Sequence, residues 1–415
     1  MLTALRVGFF LGIRQIKKSS KWTTALIIFI MMLTFLNLVG VSGILVGLIE
    51  GSVKANREQY SGNVLLTTPK GESYIDGSGS IISILDNTKE VKTYTARFIQ
   101  SASIEANYRT RRDPDALRDS IGGQVTGIDV LRENEVTNIS KYVAEGEYLE
   151  PGDDEYVLMG ANMIQRYVSA FGEGFDTLDD IFPGTRIRIS SNGKTKEYTV
   201  KGIVDSKVDQ TSFRIFMTEK EFVRFFDRTS LNVNEVAIIA NDGISENTLK
   251  SILIRNGFDK EAKVQTSEEA IPQFLNDIKL AFGLLGNIIG SIGIVVASIT
   301  IFIIIFINAI TRRKYIGILK AIGIEARSIQ FAYIFQSLFY AVAGALLGTI
   351  FLYGVMVPGF DAHPIDFPFS DGILVAPFDS TMRKFLLLII VTFFAGFIPA
   401  SMIIKKNTLD SILGR

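Results

Sequence analysis

The stretch LAFGLLGNIIGSIGIVVASITIFIIIFINAIT, residues 280–311, runs for 32 residues without an Asp, Glu, Lys or Arg. A helix needs ~20 mostly apolar residues to cross a bilayer core, so this stretch spans with residues to spare. Three others match it: residues 22–49, 328–360 and 385–404 are charge-free over 28, 33 and 20 residues. Soluble buried helices rarely stay uncharged for that distance. The pattern predicts a membrane protein with four transmembrane α-helices in a 1+3 arrangement, the long segment 50–279 lying between the first and second.

Composition narrows the chemistry. The chain has 415 residues, with 43 basic and 43 acidic side chains that balance overall. It has no cysteine, which excludes disulfide scaffolds, thiol catalysis and cysteine-ligated metals. Its one histidine, His363, removes HExxH and multi-histidine zinc sites and would have to carry any serine triad alone. No Walker A sequence occurs, so the chain has no P-loop of its own for ATP. The carboxylates Asp153, Asp154 and Glu155, and the pair Asp179 and Asp180, lack the alternating ligand spacing of a calcium loop and read as solvated turns. No catalytic, metal or cofactor site is expected. Asn138-Ile139-Ser140 matches the glycosylation sequon.

Charge also sets orientation. Arg6, Arg14, Lys17, Lys18 and Lys21 precede the first span with no acid among them. Arg312, Arg313, Lys314, Lys320 and Arg327 stand between the second and third spans against Glu325 alone. Lys405, Lys406 and Arg415 oppose Asp410 in the tail, whereas residues 361–384 carry Asp361, Asp366, Asp371 and Asp379 before Arg383 and Lys384. The positive-inside rule then puts both termini and the 312–327 loop in the cytoplasm of a cell membrane, with 50–279 and 361–384 outside. The 50–279 segment has 28 basic and 37 acidic residues. At ~100° per residue Leu2, Leu5, Phe9, Ile13 and Ile16 form one narrow stripe, the mark of a helix lying in the membrane interface on lipid. The alternative is a cytoplasmic extension of the first span.

Residues 50–279 read as an α+β domain. Asn192-Gly193 between two alternating runs, 185–190 and 196–204, is the signal of a tight hairpin. Further strands are expected at 64–67, 95–101, 124–130, 155–159, 213–217 and 235–240, and helices at 219–226, 246–256 and 267–277. Residues 77–80 read as a flexible Gly-Ser loop.

The short cytoplasmic loop 312–327 places Ile316, Ile318, Leu319 and Ile322 within one ~160° helical arc. An apolar and basic surface helix suits lipid headgroups or a groove on another protein. The run Arg312-Arg313-Lys314-Tyr315-Ile316-Gly317-Ile318-Leu319-Lys320-Ala321-Ile322-Gly323 resembles the signature of FtsX-like permeases, the membrane subunits of MacB/LolCDE-type ABC transporters. Tyr315 stands where that family usually has Glu. Pro399-Ala400 with the closing run from Leu409 to Arg415 resembles the family's C-terminal pattern. Segments such as Gly127-Ile128-Asp129, Pro183-Gly184 and Tyr198-Thr199-Val200-Lys201-Gly202 are similar to the MacB-like periplasmic core.

The resemblance implies that 312–327 is a coupling helix seated on a separate ATPase, with Lys314, Ile316, Leu319, Lys320 and Gly323 as contact candidates. It also implies a subdomain inserted near 140–210. Two ATPase copies would bind ATP and Mg, leaving this chain without a cofactor. A second permease chain, identical or different, would complete the transport path, and Gly43 with Gly47, Gly286 with Gly290, and Gly344 with Gly348 are small-residue pairs fitted to close helix packing. A periplasmic or outer-membrane adaptor could join the assembly; no nucleic-acid partner is expected. Function is then mechanotransmission by a non-catalytic subunit: ATP hydrolysis next door moves the outer domain to export or release a lipoprotein, peptide, drug or lipid. The alternative is an FtsX-type signalling subunit that activates cell-wall hydrolases.

Overall fold

The computed structural model describes residues 2–109, 118–168, 176–363, 366–367, 370–371 and 374–404. The tail from Lys405, with its Leu409-to-Arg415 motif, lies outside the described residues, as do parts of the 361–384 loop. Two compact units divide the chain: Met1–Glu50, Asp277–Asp366 and Gly372–Arg415 form one, Gly51–Asn276 and Phe367–Asp371 the other.

Among the described residues, four helices are long and apolar enough to cross a membrane. They run Lys21–Asn56, Gln273–Thr311, Ala326–Phe351 and Phe378–Ile404, and are called here the first to fourth spans. The first two, at 36 and 39 residues, extend ~54 and ~59 Å against a ~30 Å core. The third continues through a π-helical turn, Leu352–Met356, into a short helix, Val357–Ala362. Pro358 there has no N–H for the carbonyl four residues back, which accounts for the widened turn.

The core of this helical unit repeats at helical spacing. Met31, Phe35 and Val39 of the first span meet Ala297, Ile301, Ile305 and Ala309 of the second, Ala341 and Ala345 of the third, and Leu388 of the fourth. Gly344 and Gly348 let the third span approach the first: a Cβ on Gly344 would lie 2.5 Å from the Met31 Cβ, and one on Gly348 2.7 Å from Phe35 Cδ1. Gly396 on the fourth span gives Ser337 Oγ the same room.

The N-terminal helix, Leu2–Lys18, packs on the third span through a face the apolar stripe did not predict. Its buried residues are Ala4, Gly8 and Gly12, four apart, and a Cβ on Gly8 would lie 2.6 Å from Phe331 Cβ. Phe9 and Ile13 of the stripe remain exposed, as do Val7 and Phe10. Small residues thus dock the helix while the large ones face outward.

The second unit is built on one ten-stranded sheet: β1 Val64–Thr67, β2 Val91–Glu105, β3 Ser120–Ile128, β4 Val143–Gly146, β5 Tyr156–Gly160, β6 Arg186–Ser191, β7 Lys194–Val204, β8 Arg214–Thr218, β9 Glu235–Ala240 and β10 Lys263–Thr266. The order is β10-β1-β9-β2-β3-β8-β5-β7-β4, with β6 bridging β2 and β7. Among the ladders of the described strands, β3–β8 and β5–β7 are parallel. Strands β4 to β7, drawn from the 140–210 stretch, join the rest through the β2–β6 and β5–β8 ladders. Asn192 and Gly193 take φ of 50° and 77°, which closes the β6–β7 hairpin as a two-residue turn with both central residues left-handed.

Three local expectations fail. Residues 267–277 are not one helix: turns follow β10, and the helix starts only after Pro272, whose missing N–H suits the residue just before a helix and whose ring disfavours helical backbone at Ile271. Residues 78–80 are not a loop but open the helix Ser78–Asp86, which buries Ile81 and Leu85 behind a left-handed Gly77. β3 stops at Ile128 because Asp129 caps a helix, Val130–Thr137, its carboxylate accepting from the Leu131 and Arg132 amides.

A charged cluster lies at the centre of this unit. Arg97, 1% exposed, pairs with Glu133 at 2.8 Å and Glu235 at 3.3 Å, and Arg214 pairs with Glu235 at 2.9 Å. Tyr60, in the turn Arg57–Ser61, donates to Glu235 Oε1 at 2.8 Å, and its carbonyl accepts from Arg97 Nη2 at 2.7 Å. Burial alone would raise the Glu235 carboxyl, but Arg214, Arg97 and the Tyr60 hydroxyl hold it down at about 2.

Candidate functional site: the helix between the second and third spans

The predicted loop helix exists, spanning Arg313–Ala321. Its end is set by Gly323, which takes φ +90°. The Gly323 amide donates to Lys320 O and the Ile324 amide to Leu319 O, both at 3.0 Å, the paired bonds of a Schellman cap. Leu319 and Ile324 both pack against the helical core, supplying the apolar contact that accompanies such a cap.

The five coupling candidates separate into different roles. Ile316 is 2% exposed and belongs to the helical core, and Leu319 packs on that core. Lys320 is half-buried and its Nζ donates to the carbonyl of Ile404 of the fourth span. Gly323 is an exposed cap whose added Cβ would meet nothing within 4 Å. Of the five, Lys314 alone is an exposed side chain long enough to reach a partner.

The outward face consists instead of Tyr315, Ile318 and Ile322, at 69%, 50% and 69% exposure. They sit at i, i+3 and i+7, one face of a helix. The amphipathic arc that groups Ile316, Ile318, Leu319 and Ile322 thus splits: two isoleucines face out, and the other two residues face in. The signal that could have found Tyr315 is its position, because it shares a face with Ile318 and Ile322.

The small-residue pairs also separate. Gly43 lies against residues 374–375, with a Cβ there 2.9 Å from Val375 O, and Gly47 is buried. A Cβ added at Gly286 would lie 3.2 Å from Leu45 Cδ1 and one at Gly290 3.5 Å from Leu38 Cδ1, looser than at Gly344 and Gly348. Elsewhere, Asp153 is bound by Lys201 at 2.7 Å and Asp154 by Arg224 at 3.2 Å, and no three metal-ligating side chains converge among the described residues.

Comparison with known proteins bears on this part of the chain. Residues 287–408 match the family model described as FtsX-like permease C-terminal. The chain is 27% identical over 168 residues to the ABC transporter permease YtrF of Bacillus subtilis, a match covering 39% of this chain and 37% of that protein's length. Among solved structures, the periplasmic region of MacB from Actinobacillus actinomycetemcomitans aligns with a TM-score of 0.34 at 12% identity, covering 50% of this chain and 90% of the other. The extracellular domain of the noncanonic ABC-type transporter YknZ from Gram-positive bacteria aligns at 0.31 and 14%, covering 49% and 98%. With the match falling on the last three long helices and the loop helix between them, the chain carries an FtsX-like permease domain and is a multi-pass membrane protein.

Proposed function

We propose that this chain is the permease subunit of an ABC transporter that works by mechanotransmission, with a separate ATPase docking on the Arg313–Ala321 helix. The carrying observation is the Tyr315, Ile318 and Ile322 face, exposed on a helix whose opposite side is sealed into the bundle by Ile316 and Leu319. A helix held in this way passes a push to the spans on either side of it in sequence. The YtrF relative, itself an ABC transporter permease, supports the reading.

In this reading both termini and the loop helix are cytoplasmic in the cell membrane, and the sheet unit lies outside. Two ATPase copies bind ATP and Mg, and this chain contributes movement rather than bond chemistry. A second permease chain covers the second span, which leaves Leu284, Ile288, Ile292, Val295, Ile299 and Ile303 exposed along one face. The arginine and glutamate cluster around Tyr60 suits a mechanical path, because it ties the turn following the first span to β2, β8 and β9.

The test is co-purification of the tagged chain with its ATPase from native membranes. Ile318→Asp and Ile322→Asp should each release the ATPase while leaving membrane insertion intact. Full retention of the ATPase by both variants would refute the docking face.

A further inference from the structure

Two cations at the head of the fourth span take no part in the reading above. Residues 374–377 brace that end of the bundle: the Val375 amide donates to Gly43 O at 3.2 Å, and the Tyr353 hydroxyl donates to Ala376 O at 2.9 Å and lies 3.1 Å from Thr381 Oγ1. Beside this brace a cavity of about 340 Å³ opens between the first and fourth spans. Val39, Ser42, Val46, Asp379, Arg383 and Lys384 line it. That volume falls within the ~300–1,000 Å³ range of small-molecule sites.

The charges in the cavity do not cancel. Lys384 is half-buried, and its recorded partner is neutral: Nζ donates to Ser42 Oγ at 2.6 Å. Arg383 is exposed, and neither cation pairs with Asp379 among the described residues. Among the described lining residues, two cations against one carboxylate leave a single positive charge. Val46 of its lining is exposed, as are Met382 and Leu386 on the same stretch of the fourth span. Immediately after Lys384 begins the charge-free run 385–404, so the cavity sits where headgroups meet acyl chains.

We infer that this cavity binds the phosphate of an anionic phospholipid. Lys384 and Arg383 donate charge-assisted hydrogen bonds to the phosphate oxygens, and the Ser42 hydroxyl proton, free while Oγ accepts from Lys384, donates a third. Asp379 accepts from a headgroup hydroxyl and disfavours a doubly charged anion. The acyl chains lie along Val46, Met382 and Leu386.

Native mass spectrometry of the full-length chain in detergent, with phosphatidylglycerol and phosphatidylcholine of identical acyl chains, tests this. Phosphatidylglycerol should be retained preferentially, Lys384→Ala and Arg383→Ala should each weaken it about tenfold, and Lys384→Arg should keep it. Equal retention of the two lipids, or undiminished phosphatidylglycerol binding in both alanine variants, overturns the site. Displacement of the lipid by inorganic phosphate overturns the lipid assignment in favour of a soluble anion. Should Lys384→Ala not fold, the exposed Arg383→Ala carries the same comparison.

Discussion

Replacing Glu235 by Gln removes the carboxylate that Arg214 and Arg97 share, while keeping the side-chain volume. Glu133 still pairs with Arg97 at 2.8 Å, so the loss falls mainly on Arg214, whose side chain is 8% exposed. Removing one member of a buried ion pair costs ~3–5 kcal/mol, because the other charge is left desolvated and unmatched. The pH dependence gives an independent figure. Glu235 is held at about 2 in the folded protein against an ordinary value of 4.5. At ~1.4 kcal/mol per pH unit that difference is ~3 kcal/mol. Because the folded value is the lower one, this stability is fully present above pH 4.5 and is lost as pH falls towards about 2. Hydrogen exchange of β2 and β9 amides in the full-length chain reads both effects. At neutral pH Glu235→Gln should lower the opening free energy of these strands by ~3–5 kcal/mol. Between pH 4.5 and about 2 the wild type should lose stability that the variant no longer has to lose. Arg109→Ala, at the exposed Arg109–Glu197 pair, should leave the opening free energy nearly unchanged, because solvent screens a surface pair. A Glu235→Gln effect as small as that of Arg109→Ala, or parallel acid profiles for wild type and variant, would refute the assignment of the cluster as a structural centre.

Substitutions at three glycines probe the helical unit. Gly344→Ile places its branched Cβ where 2.5 Å separates an added carbon from Met31, so thermal unfolding in detergent should show a loss well beyond the ~1–3 kcal/mol of ordinary overpacking, while Gly286→Ala, 3.2 Å from the flexible tip of Leu45, should be mild. Gly323→Ala meets no atom within 4 Å and should cost ~1 kcal/mol for its left-handed backbone alone, with Gly323→Asn milder; equal stability of all three residues would show that the cap does not need φ +90°.

The four spans, the loop helix and the Asn192-Gly193 hairpin were legible because each rests on a local signal. Uncharged length, helical periodicity and turn chemistry need no knowledge of distant residues. The stripe of residues 2–16 marks an apolar face, yet the packed face is Ala4, Gly8 and Gly12. Periodicity finds hydrophobic area, and in a bilayer hydrophobic area does not distinguish a protein contact from a lipid contact.

By itself the sequence determined which segments enter a membrane and where the chain must turn, since both follow from transfer free energy and backbone sterics summed over neighbouring residues. Only the tertiary structure decided that Ile316 and Leu319 seal inward while Tyr315, Ile318 and Ile322 face out. It also decided that Gly323 caps the loop helix, and that Arg97, Arg214, Glu133 and Glu235 form one buried cluster. Those assignments depend on which surfaces meet across more than a hundred residues of chain, where packing complementarity and paired desolvation outweigh any local preference.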